Sequence, residues 1–284
     1  MGIRIFQVDA FTATPFRGNP AAVCLLDGPR RDAWMQSVAA EMNLSETAFV
    51  EPAAAGWSLR WFTPTTEVSL CGHATLASAH VLWETGALRG DDAARFHTRS
   101  GMLSARRFEG ARIEIDLPAA PVTPMPPPEA ALEALGGVRV VVSGRTSDRG
   151  LGDVDFLFEL GSEAAVRGLR PDFGQLALRV PAGIIVTARA EERRPAAADP
   201  SGNAPERYDF VSRYFAPAFG IDEDAVTGAA HCALAPYWSE RLGRDALMGY
   251  QASRRGGFVG TRVAGARVLL SGEAVTVMRG TLLP

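Results

Sequence analysis

The sequence repeats itself at an offset of 156 residues, and this repeat limits the folds that the chain can adopt. It aligns two helical segments that begin at Gly72 and Gly228 and carry small residues on one side. The matching pairs are Glu67 with Glu223, Gly72 with Gly228, Ala74 with Ala230, Ala77 with Ala233, Ala79 with Ala235 and Glu84 with Glu240. Three strand-like segments follow each helix, near residues 93, 102 and 111 and near residues 247, 257 and 266. The repeat therefore predicts two similar halves, each with strands packed around one alanine-lined helix.

Short strands with one solvent-facing side dominate the rest of the chain. Apolar and polar residues alternate in Ile3–Phe11, Trp57–Trp61, Arg112–Leu117 and Arg267–Leu270. Together with the two helices, these strands predict an α+β fold.

A proline-rich run from Pro118 to Pro128 is the clearest boundary in the sequence. Proline removes backbone donors, so the run is expected to cross between the halves on an extended path, outside helix and sheet. The predicted N-terminal half is 1–118 plus about 272–284, and the predicted C-terminal half is 119–271. A second irregular stretch, 191–206, predicts a surface loop.

Residues Arg31 to Met42 read as an amphipathic helix, which Asn43-Leu44-Ser45 turns into a strand at Thr47–Val50. This interpretation places Glu46 at the turn between the helix and the strand.

Charge and cysteine content exclude several function classes. The net charge of -3 argues against nucleic acid or an anionic membrane as a partner, because both require a concentrated basic surface. No apolar run reaches the roughly 18 residues of a membrane helix. The cysteines, Cys24, Cys71 and Cys232, are odd in number, form no CxxC pair and follow no secretion signal. We therefore expect a cytoplasmic protein with reduced thiols that acts on a small molecule.

The two repeated helix starts, Cys71-Gly72-His73-Ala74 and Thr227-Gly228-Ala229-Ala230, predict an anion site. The first N–H groups of a helix lack partners within the helix, and its dipole adds partial positive charge there. We expect both starts to face one cleft between the halves and to hold a carboxylate without a metal.

Polar residues near these helix starts are candidates for chemistry: Asn19, Glu46, His73 and Asp224. A glutamate and a histidine beside a bound carboxylate are sufficient to move a proton on the substrate. Asp224 is also a candidate N-terminal cap of the second helix. His73 and His80, and the pair His231-Cys232, complete no metal motif, so we expect no metal.

A succession of motifs resembles one known family. These motifs are Asp9-Ala10-Phe11, Gly18-Asn19-Pro20-Ala21-Ala22-Val23, Asn43-Leu44-Ser45-Glu46-Thr47-Ala48-Phe49, Leu70-Cys71-Gly72-His73-Ala74-Thr75, Tyr208 to Pro217 and Glu223-Asp224-Ala225-Val226-Thr227-Gly228. They resemble the PhzF-type phenazine-biosynthesis isomerases, whose relatives include diaminopimelate epimerase and proline racemase. With a Gly-rich turn at 253–257, the resemblance spans residues 9 to 257.

The resemblance implies a diaminopimelate epimerase-like fold of two pseudo-symmetric halves, each a strand-rich barrel around a central helix. It also implies a homodimer that works without a cofactor. The family's catalytic glutamate falls on Glu46, which would move a proton between two carbons, and its histidine and aspartate fall on His73 and Asp224. The substrate-binding positions would be Asn19, Gly72, Thr227, Gly228, Ala229, Gly256 and Gly257.

This chain departs from its apparent relatives at two positions. Ala229 stands where the phenazine-biosynthesis branch has a serine, and Thr227 matches Cys71, where the racemases use a second cysteine. A threonine hydroxyl is a far weaker acid than a thiol, so a two-thiol racemase is disfavoured.

Three functions follow as alternatives. The first is an isomerase that moves a proton on a small carboxylic acid through Glu46. The second is an epimerase or racemase that uses Cys71 as one base, and the third is a protein that binds a small carboxylate without chemistry.

Overall fold

The computed structural model describes residues 2–147, 154–191 and 207–283. The helices in these residues are α1 (Asp32–Met42), α2 (Gly72–Glu84), α3 (Glu129–Ala134), α4 (Glu163–Gly168), α5 (Phe173–Arg179) and α6 (Gly228–Leu242). The first strands in chain order are β1 (Ile3–Ala10), β2 (Asn19–Leu25), β3 (Glu46–Ala53), β4 (Gly56–Phe62), β5 (Glu67–Val68), β6 (Ala94–Thr98), β7 (Gly101–Phe108), β8 (Arg112–Pro118) and β9 (Val122–Pro124). The remaining strands are β10 (Val140–Thr146), β11 (Asp155–Leu160), β12 (Gly183–Arg189), β13 (Phe210–Ala216), β14 (Ile221–Asp224), β15 (Ala246–Gln251), β16 (Gly257–Ala264), β17 (Arg267–Gly272) and β18 (Ala274–Leu282).

The chain divides into two compact units. Unit 1 is Met1–Leu117 with Leu269–Pro284, and unit 2 is Pro118–Val268. The boundaries predicted from the sequence lie between residues 118 and 119 and at about residues 271 and 272.

The two units share one order of strand pairing. In unit 1, β1 pairs antiparallel with β2, β2 parallel with β3, β3 antiparallel with β4, β4 parallel with β6, and β6 antiparallel with β7. In unit 2, β10 to β13, β15 and β16 follow the same succession of antiparallel and parallel pairs. A long helix lies between the fourth and fifth strands of each set, α2 in unit 1 and α6 in unit 2. The fold thus confirms the repeat and the three strands predicted after each helix, β6 to β8 and β15 to β17.

Small side chains let the strands approach the central helices closely. Helix α2 contacts β1, β2, β3, β7 and β18, and Ala74, Ala77 and Ala79 are fully buried in these contacts. Helix α6 contacts β15 and β16, with Ala233 and Ala235 fully buried. A larger side chain at these alanines would overpack the helix against its sheet, at a cost of about 1–3 kcal/mol.

The segment that leads to Glu46 folds almost as the sequence predicts. Helix α1 covers Asp32–Met42 and ends at Asn43, which adopts a left-handed conformation with φ 50°. Asparagine tolerates this conformation better than most residues, which explains the sharp turn. Glu46 is the first residue of β3 rather than part of the turn.

The proline run contradicts one prediction, because part of it does join a sheet. Val122–Pro124 forms β9, which pairs antiparallel with β10. Among the described residues β10 is its only partner strand, and proline is tolerated in such an edge strand because one side of the strand needs no donor.

Two remaining predictions concern the surface and membranes. The predicted loop at 191–206 lies outside the described residues except for Glu191. Within the part of the chain that the structure describes, every helix is too short or too polar to cross a membrane.

Candidate active site

Two neighbouring strands of unit 1 begin beside each other and present polar side chains there. Asn19 opens β2 and Glu46 opens β3, and the two strands run parallel with Ala21 opposite Glu46. Because parallel strands begin at the same edge of a sheet, their first residues lie together. Helix α2, which packs on both strands, adds Cys71 and His73 at its first turn.

His73 links the members of this group. Its Nε2 lies 3.2 Å from Glu46 Oε2, and its Nδ1 lies 3.0 Å from Asn19 Nδ2. An amide nitrogen only donates, so Asn19 donates to Nδ1 and the ring proton of a neutral imidazole is on Nε2. The protonated Nε2 of His73 is therefore the ring nitrogen that lies beside the Glu46 carboxylate.

Cys71 belongs to the same group. Its Sγ lies 3.5 Å from His73 Nδ1 and 4.0 Å from His73 Nε2. Cys71 and His73 are 4% and 2% exposed, and the Glu46 side chain is 13% exposed. The group is thus nearly closed to water, and the carboxylate is its most accessible member.

The loop before Asn19 is built by residues whose role the sequence did not indicate. Gly18 has φ +61°, and a Cβ there would lie 2.1 Å from the carbonyl oxygen of Ala10, so only glycine fits. The buried Asp9 carboxylate accepts the Phe16 N–H at 2.6 Å and so fixes the same loop. These contacts set the position from which Asn19 reaches His73.

A second polar group surrounds the start of α6 in unit 2. Thr227 Oγ1 donates to Asp224 Oδ2 at 2.6 Å, and the Ala225 N–H donates to Asp224 Oδ1 at 3.0 Å. The buried Gln251 accepts the Thr227 N–H at 2.8 Å and donates to the Asp224 carbonyl at 2.8 Å and to Thr227 Oγ1 at 3.1 Å. One amide side chain thus holds the helix start and the end of β14 together.

The structure contradicts the interpretation of Asp224 as a helix cap. The N-cap of α6 is Thr227, and Asp224 is the last residue of β14. The Asp224 carboxylate accepts the N–H of Ala225 and the hydroxyl of Thr227.

The remaining predicted residues of unit 2 lie close to this group along the chain. Gly228 and Ala229 open α6. Gly256, with φ +68°, ends the turn before β16, and a Cβ there would meet the Tyr250 hydroxyl at 2.6 Å. Ser253 fixes that turn by donating to the Ala225 carbonyl and accepting the Gly256 N–H. Gly257 is the first residue of β16.

Matching arginine–glutamate pairs support the two helix starts. Arg60 donates through Nε and Nη2 to both oxygens of Glu67, at 2.7 and 2.6 Å. Arg213 donates in the same way to Glu223, at 2.7 and 2.9 Å. Each glutamate lies on the short strand that leads into the helix, β5 or β14, so each pair anchors the approach to its helix.

His231 lies one turn into α6 and is fully buried. Its Nδ1 donates to the Thr227 carbonyl at 2.8 Å. Burial lowers the pKa of His231 to about 4, and the hydrogen bond to Thr227 opposes this shift only in part. His231 is therefore neutral at pH 7 and stabilises the first turn of α6.

The other predicted metal-ligand candidates do not gather. His80 hydrogen-bonds to Thr276 Oγ1 at 3.1 Å, and burial lowers its pKa. Burial also raises the pKa of Cys24 to about 12, and the cysteines are free thiols. Glu46, Cys71 and His73 are the one group of three such ligands within the described ranges 2–147, 154–191 and 207–283.

Similarity to known proteins covers almost the whole chain. Residues 8–280 match the family described as phenazine biosynthesis-like protein. The chain is 46% identical to an uncharacterized isomerase of Halalkalibacterium halodurans, over 98% of each chain, and 45% identical to one of Pseudomonas aeruginosa, over 99% of each.

Solved structures give the same result for the fold. A phenazine biosynthesis protein of the PhzF family from Enterococcus faecalis is 36% identical, with a TM-score of 0.85 over 100% of both chains. A probable proline racemase from Agrobacterium radiobacter is 12% identical, with a TM-score of 0.64 over 99% of this chain and 93% of its own. That likeness concerns the fold alone.

Proposed function

This chain is an isomerase of the phenazine biosynthesis-like protein family, and from that premise we propose that it moves a proton on a small carboxylic acid through Glu46 without a cofactor. The observation that carries the proposal is the placement of Glu46. Its carboxylate lies 3.2 Å from a histidine N–H, at the edge of an otherwise closed group.

The chemistry needs one carboxylate with two successive roles. Glu46 takes a proton from an acidic C–H of the substrate, and the electron pair of that bond delocalises into the adjoining unsaturated system. The Glu46 carboxylic acid then returns the proton to a different carbon, so atoms and charge balance over the cycle. His73, whose Nε2 lies 3.2 Å from Glu46 Oε2, is proposed to orient the carboxylate, while Asn19 donates to Nδ1 of the histidine ring.

The substrate carboxylate is proposed to bind at a helix start. The first N–H groups of α2, from Gly72 onward, offer donors and partial positive charge. In unit 2, we propose Thr227, Gly228, Ala229, Gly256 and Gly257 as further substrate-binding residues and Asp224 as a residue that acts on the substrate through hydrogen bonding. The homodimer and the cytoplasmic location also remain proposals.

Deuterium exchange tests the proposal without knowledge of the natural substrate. The protein is incubated in deuterated water with a panel of small carboxylic acids, each with a C–H next to an unsaturated or carbonyl group, and proton NMR follows each carbon. We expect at least one acid to incorporate deuterium. Glu46→Gln should slow this exchange by about 10²–10⁴-fold, because the amide cannot accept the proton.

Glu51→Gln is the matched control, since Glu51 lies on the same strand, β3, outside the group around His73. It should exchange at the parent rate. Exchange by Glu46→Gln at the parent rate would refute the role of Glu46.

The position of the new C–H bond separates the alternatives. An isomerase returns the proton to a different carbon, whereas an epimerase or racemase returns it to the same carbon with inversion. The thiol of Cys71 near His73 keeps the second function open as the rival. Tight binding of a carboxylate without exchange of any acid would favour the third function, binding without chemistry.

A further inference from the structure

We propose that Tyr214 is a further substrate-contacting residue, and that its hydroxyl, held by Asp155, selects acids that also carry a hydroxyl or an amino group. The contact rests on the proposed function and deepens it, because it names a class of substrate for the same isomerase. The observation behind it is that unit 2 places this tyrosine–aspartate pair where unit 1 places Glu46.

The order of strand pairing shows which positions of the two units match. Strand β12 takes the place of β3, because each pairs parallel with the preceding strand of its set and antiparallel with the next. Gly183 opens β12 as Glu46 opens β3. The residue opposite the third position of this strand is Trp61 in unit 1 and Tyr214 in unit 2. Gly183 is therefore the counterpart of Glu46, and Tyr214 is the counterpart of Trp61.

Gly183 leaves room that two polar side chains occupy. A Cβ on Gly183 would lie 2.2 Å from Tyr214 Oη and 2.3 Å from Asp155 Oδ1. Both separations are shorter than a van der Waals contact, so only glycine allows this close approach. The hydroxyl and the carboxylate thus stand where unit 1 has the side chain of Glu46.

The aspartate fixes the direction of the phenol proton. Tyr214 donates to Asp155 Oδ1 at 2.9 Å, and a phenol oxygen that donates one hydrogen bond can still accept another. Asp155 is 4% exposed whereas Tyr214 is half-buried, so the tyrosine is the more accessible member of the pair. A ligand that meets this oxygen must present an O–H or an N–H. The carboxylate behind the phenol strengthens that preference, because linked hydrogen bonds polarise one another.

Tyr214 also belongs to the polar group at the start of α6. It lies opposite Asp224 in the pairing of β13 with β14, and opposite residues share a face of the sheet. Asp224 in turn accepts the hydroxyl of Thr227, the N-cap of α6. The phenol therefore adds an acceptor to a group whose helix amides are donors. Together they suit a carboxylic acid that carries a second, hydrogen-donating group.

The same hydrogen bond ties β11 to β13 across β12, which by itself would be a structural role. Unit 1 keeps the matching strands without such a tie. Its Trp61 is 1% exposed, and within the described part of the chain the indole N–H has no hydrogen-bond partner. A structural role predicts lost stability with unchanged substrate preference, whereas a contact predicts a changed preference.

Matched pairs of acids test the contact in the deuterium-exchange assay. Both members of a pair share one skeleton with an exchangeable C–H, and one member carries a hydroxyl or amino group where the other carries hydrogen. The parent should prefer the member with the donor, measured as kcat/KM. Tyr214→Phe should reduce this preference, mainly by raising KM, by about 3- to 10-fold if the donor is a hydroxyl and about 10- to 100-fold if it is an ammonium.

Tyr237→Phe is the matched control, because Tyr237 also donates to a carboxylate of unit 2, that of Glu159. Tyr237 follows Thr227 by ten residues on α6, which is about 15 Å along the helix. The control should keep the preference of the parent. A parent without any preference, an unchanged preference in Tyr214→Phe, or an equal loss in Tyr237→Phe would overturn the contact.

NMR of the unaltered chain covers the case in which Tyr214→Phe fails to fold. The chain has four tyrosines, so ¹³C labelling at Cζ gives four signals, and variants of the other three assign Tyr214 by elimination. The acid with the donor should shift the Tyr214 signal more than its analogue does. An unchanged Tyr214 signal with every acid of the panel would contradict the contact. If the signal shifts but no acid exchanges, the proton transfer fails while the contact stands.

Discussion

The starts of α2 and α6 have the same framework and different chemistry. Both follow a short strand held by a bidentate arginine–glutamate pair, Arg60–Glu67 in unit 1 and Arg213–Glu223 in unit 2. In both, a serine hydroxyl donates at 2.7 Å to a carbonyl just ahead of the helix, Ser100 to Ser69 and Ser253 to Ala225.

The first turns are also tied in the same way. Thr75 Oγ1 donates to the Cys71 carbonyl at 2.6 Å, and His231 Nδ1 donates to the Thr227 carbonyl at 2.8 Å. Each donor reaches back four residues to the N-cap of its helix. The repeat therefore preserves how each helix begins.

The differences lie in the side chains at those starts. Unit 1 has Cys71 and His73 where unit 2 has Thr227 and Ala229, and Glu46 stands beside the first pair. Unit 2 instead has Gln251, which fixes Thr227 and Asp224 by hydrogen bonds. One helix start thus carries groups that can exchange protons, and the other carries a hydrogen-bonded network around Thr227, Asp224 and Gln251.

The largest expected stability effect concerns the two arginine–glutamate pairs. Arg213 is only 10% exposed and also donates to the carbonyls of Val166 and Leu169. Arg213→Met leaves Glu223 without its partner and should lower the free energy of unfolding by about 3–5 kcal/mol.

Arg60→Met should cost less, about 1–2 kcal/mol, because Arg60 is 27% exposed and Glu67 keeps Arg99 as a partner. Urea unfolding of both variants measures the difference. Equal losses of unfolding free energy in the two variants would contradict the expectation that the more buried arginine–glutamate pair contributes more.

The buried histidine in the first turn of α6 predicts a pH dependence of stability, and the matching residue in α2 is Thr75, which does not titrate. The pKa of His231 is about 4 in the folded chain, below its ordinary value of 6.5, so the unfolded chain binds more protons between these values. The neutral His231 therefore contributes to the free energy of unfolding. This contribution, roughly 3 kcal/mol, is fully present above pH 6.5 and is lost as the pH falls to 4.

His231→Thr places at this position the residue type that unit 1 has at Thr75. The variant is expected to lose overall stability through the smaller side chain, but the pH-dependent difference from the parent should shrink between pH 6.5 and 4. Urea unfolding across that range measures it. A constant difference at all pH values would show that His231 does not titrate on unfolding.

Gln251 ends β15 and pairs with Gly257, the first residue of β16, and in unit 1 Thr98 ends β6 and pairs with Gly101, the first residue of β7. Gln251→Leu leaves the Thr227 N–H and the Asp224 carbonyl without this partner and should cost about 2–3 kcal/mol. Thr98→Val, at a half-buried position near the surface end of β6, should cost less than about 1 kcal/mol.

Thermal unfolding of these two variants compares the positions. If Gln251→Leu costs no more than Thr98→Val, the amide does not hold the start of α6.

The smallest expected change in stability is that of a substitution at Ala229. Ala229→Ser adds one hydroxyl at a half-buried position in the first turn of α6, where serine is tolerated, so stability should change by no more than about 0.5 kcal/mol. The same variant tests specificity, because the added donor should shift which acids of the panel exchange deuterium. An unchanged panel would show that position 229 does not contact substrate.

Much of the fold could be predicted from the sequence because it depends on local patterns and on a repeat. Gly72 and Gly228 begin their helices as predicted, and alternation located β4, β8 and β17. The proline run was misread where β9 forms, since an edge strand needs donors on one side only.

The sequence predicted which residues belong to the candidate site but not which hydrogen bonds hold them in place. The motifs named Asn19, Glu46 and His73, but Gln251 reaches Thr227 across 24 residues and Arg213 reaches Leu169 across 44. Such hydrogen bonds depend on how strands register in three dimensions, which no local pattern encodes. The interpretation of Asp224 as the cap of α6 was wrong because Thr227, which donates a hydrogen bond to Asp224, takes the N-cap position.

The central claim is that the carboxylate of Glu46, and not the thiol of Cys71, moves the proton. Deuterium exchange rates of Glu46→Gln and Cys71→Ala, measured side by side on the acid that the parent exchanges fastest, test it directly. We predict a loss of about 10²–10⁴-fold for Glu46→Gln and of less than about 10-fold for Cys71→Ala. Loss of exchange in Cys71→Ala, with Glu46→Gln close to the parent, would contradict the account.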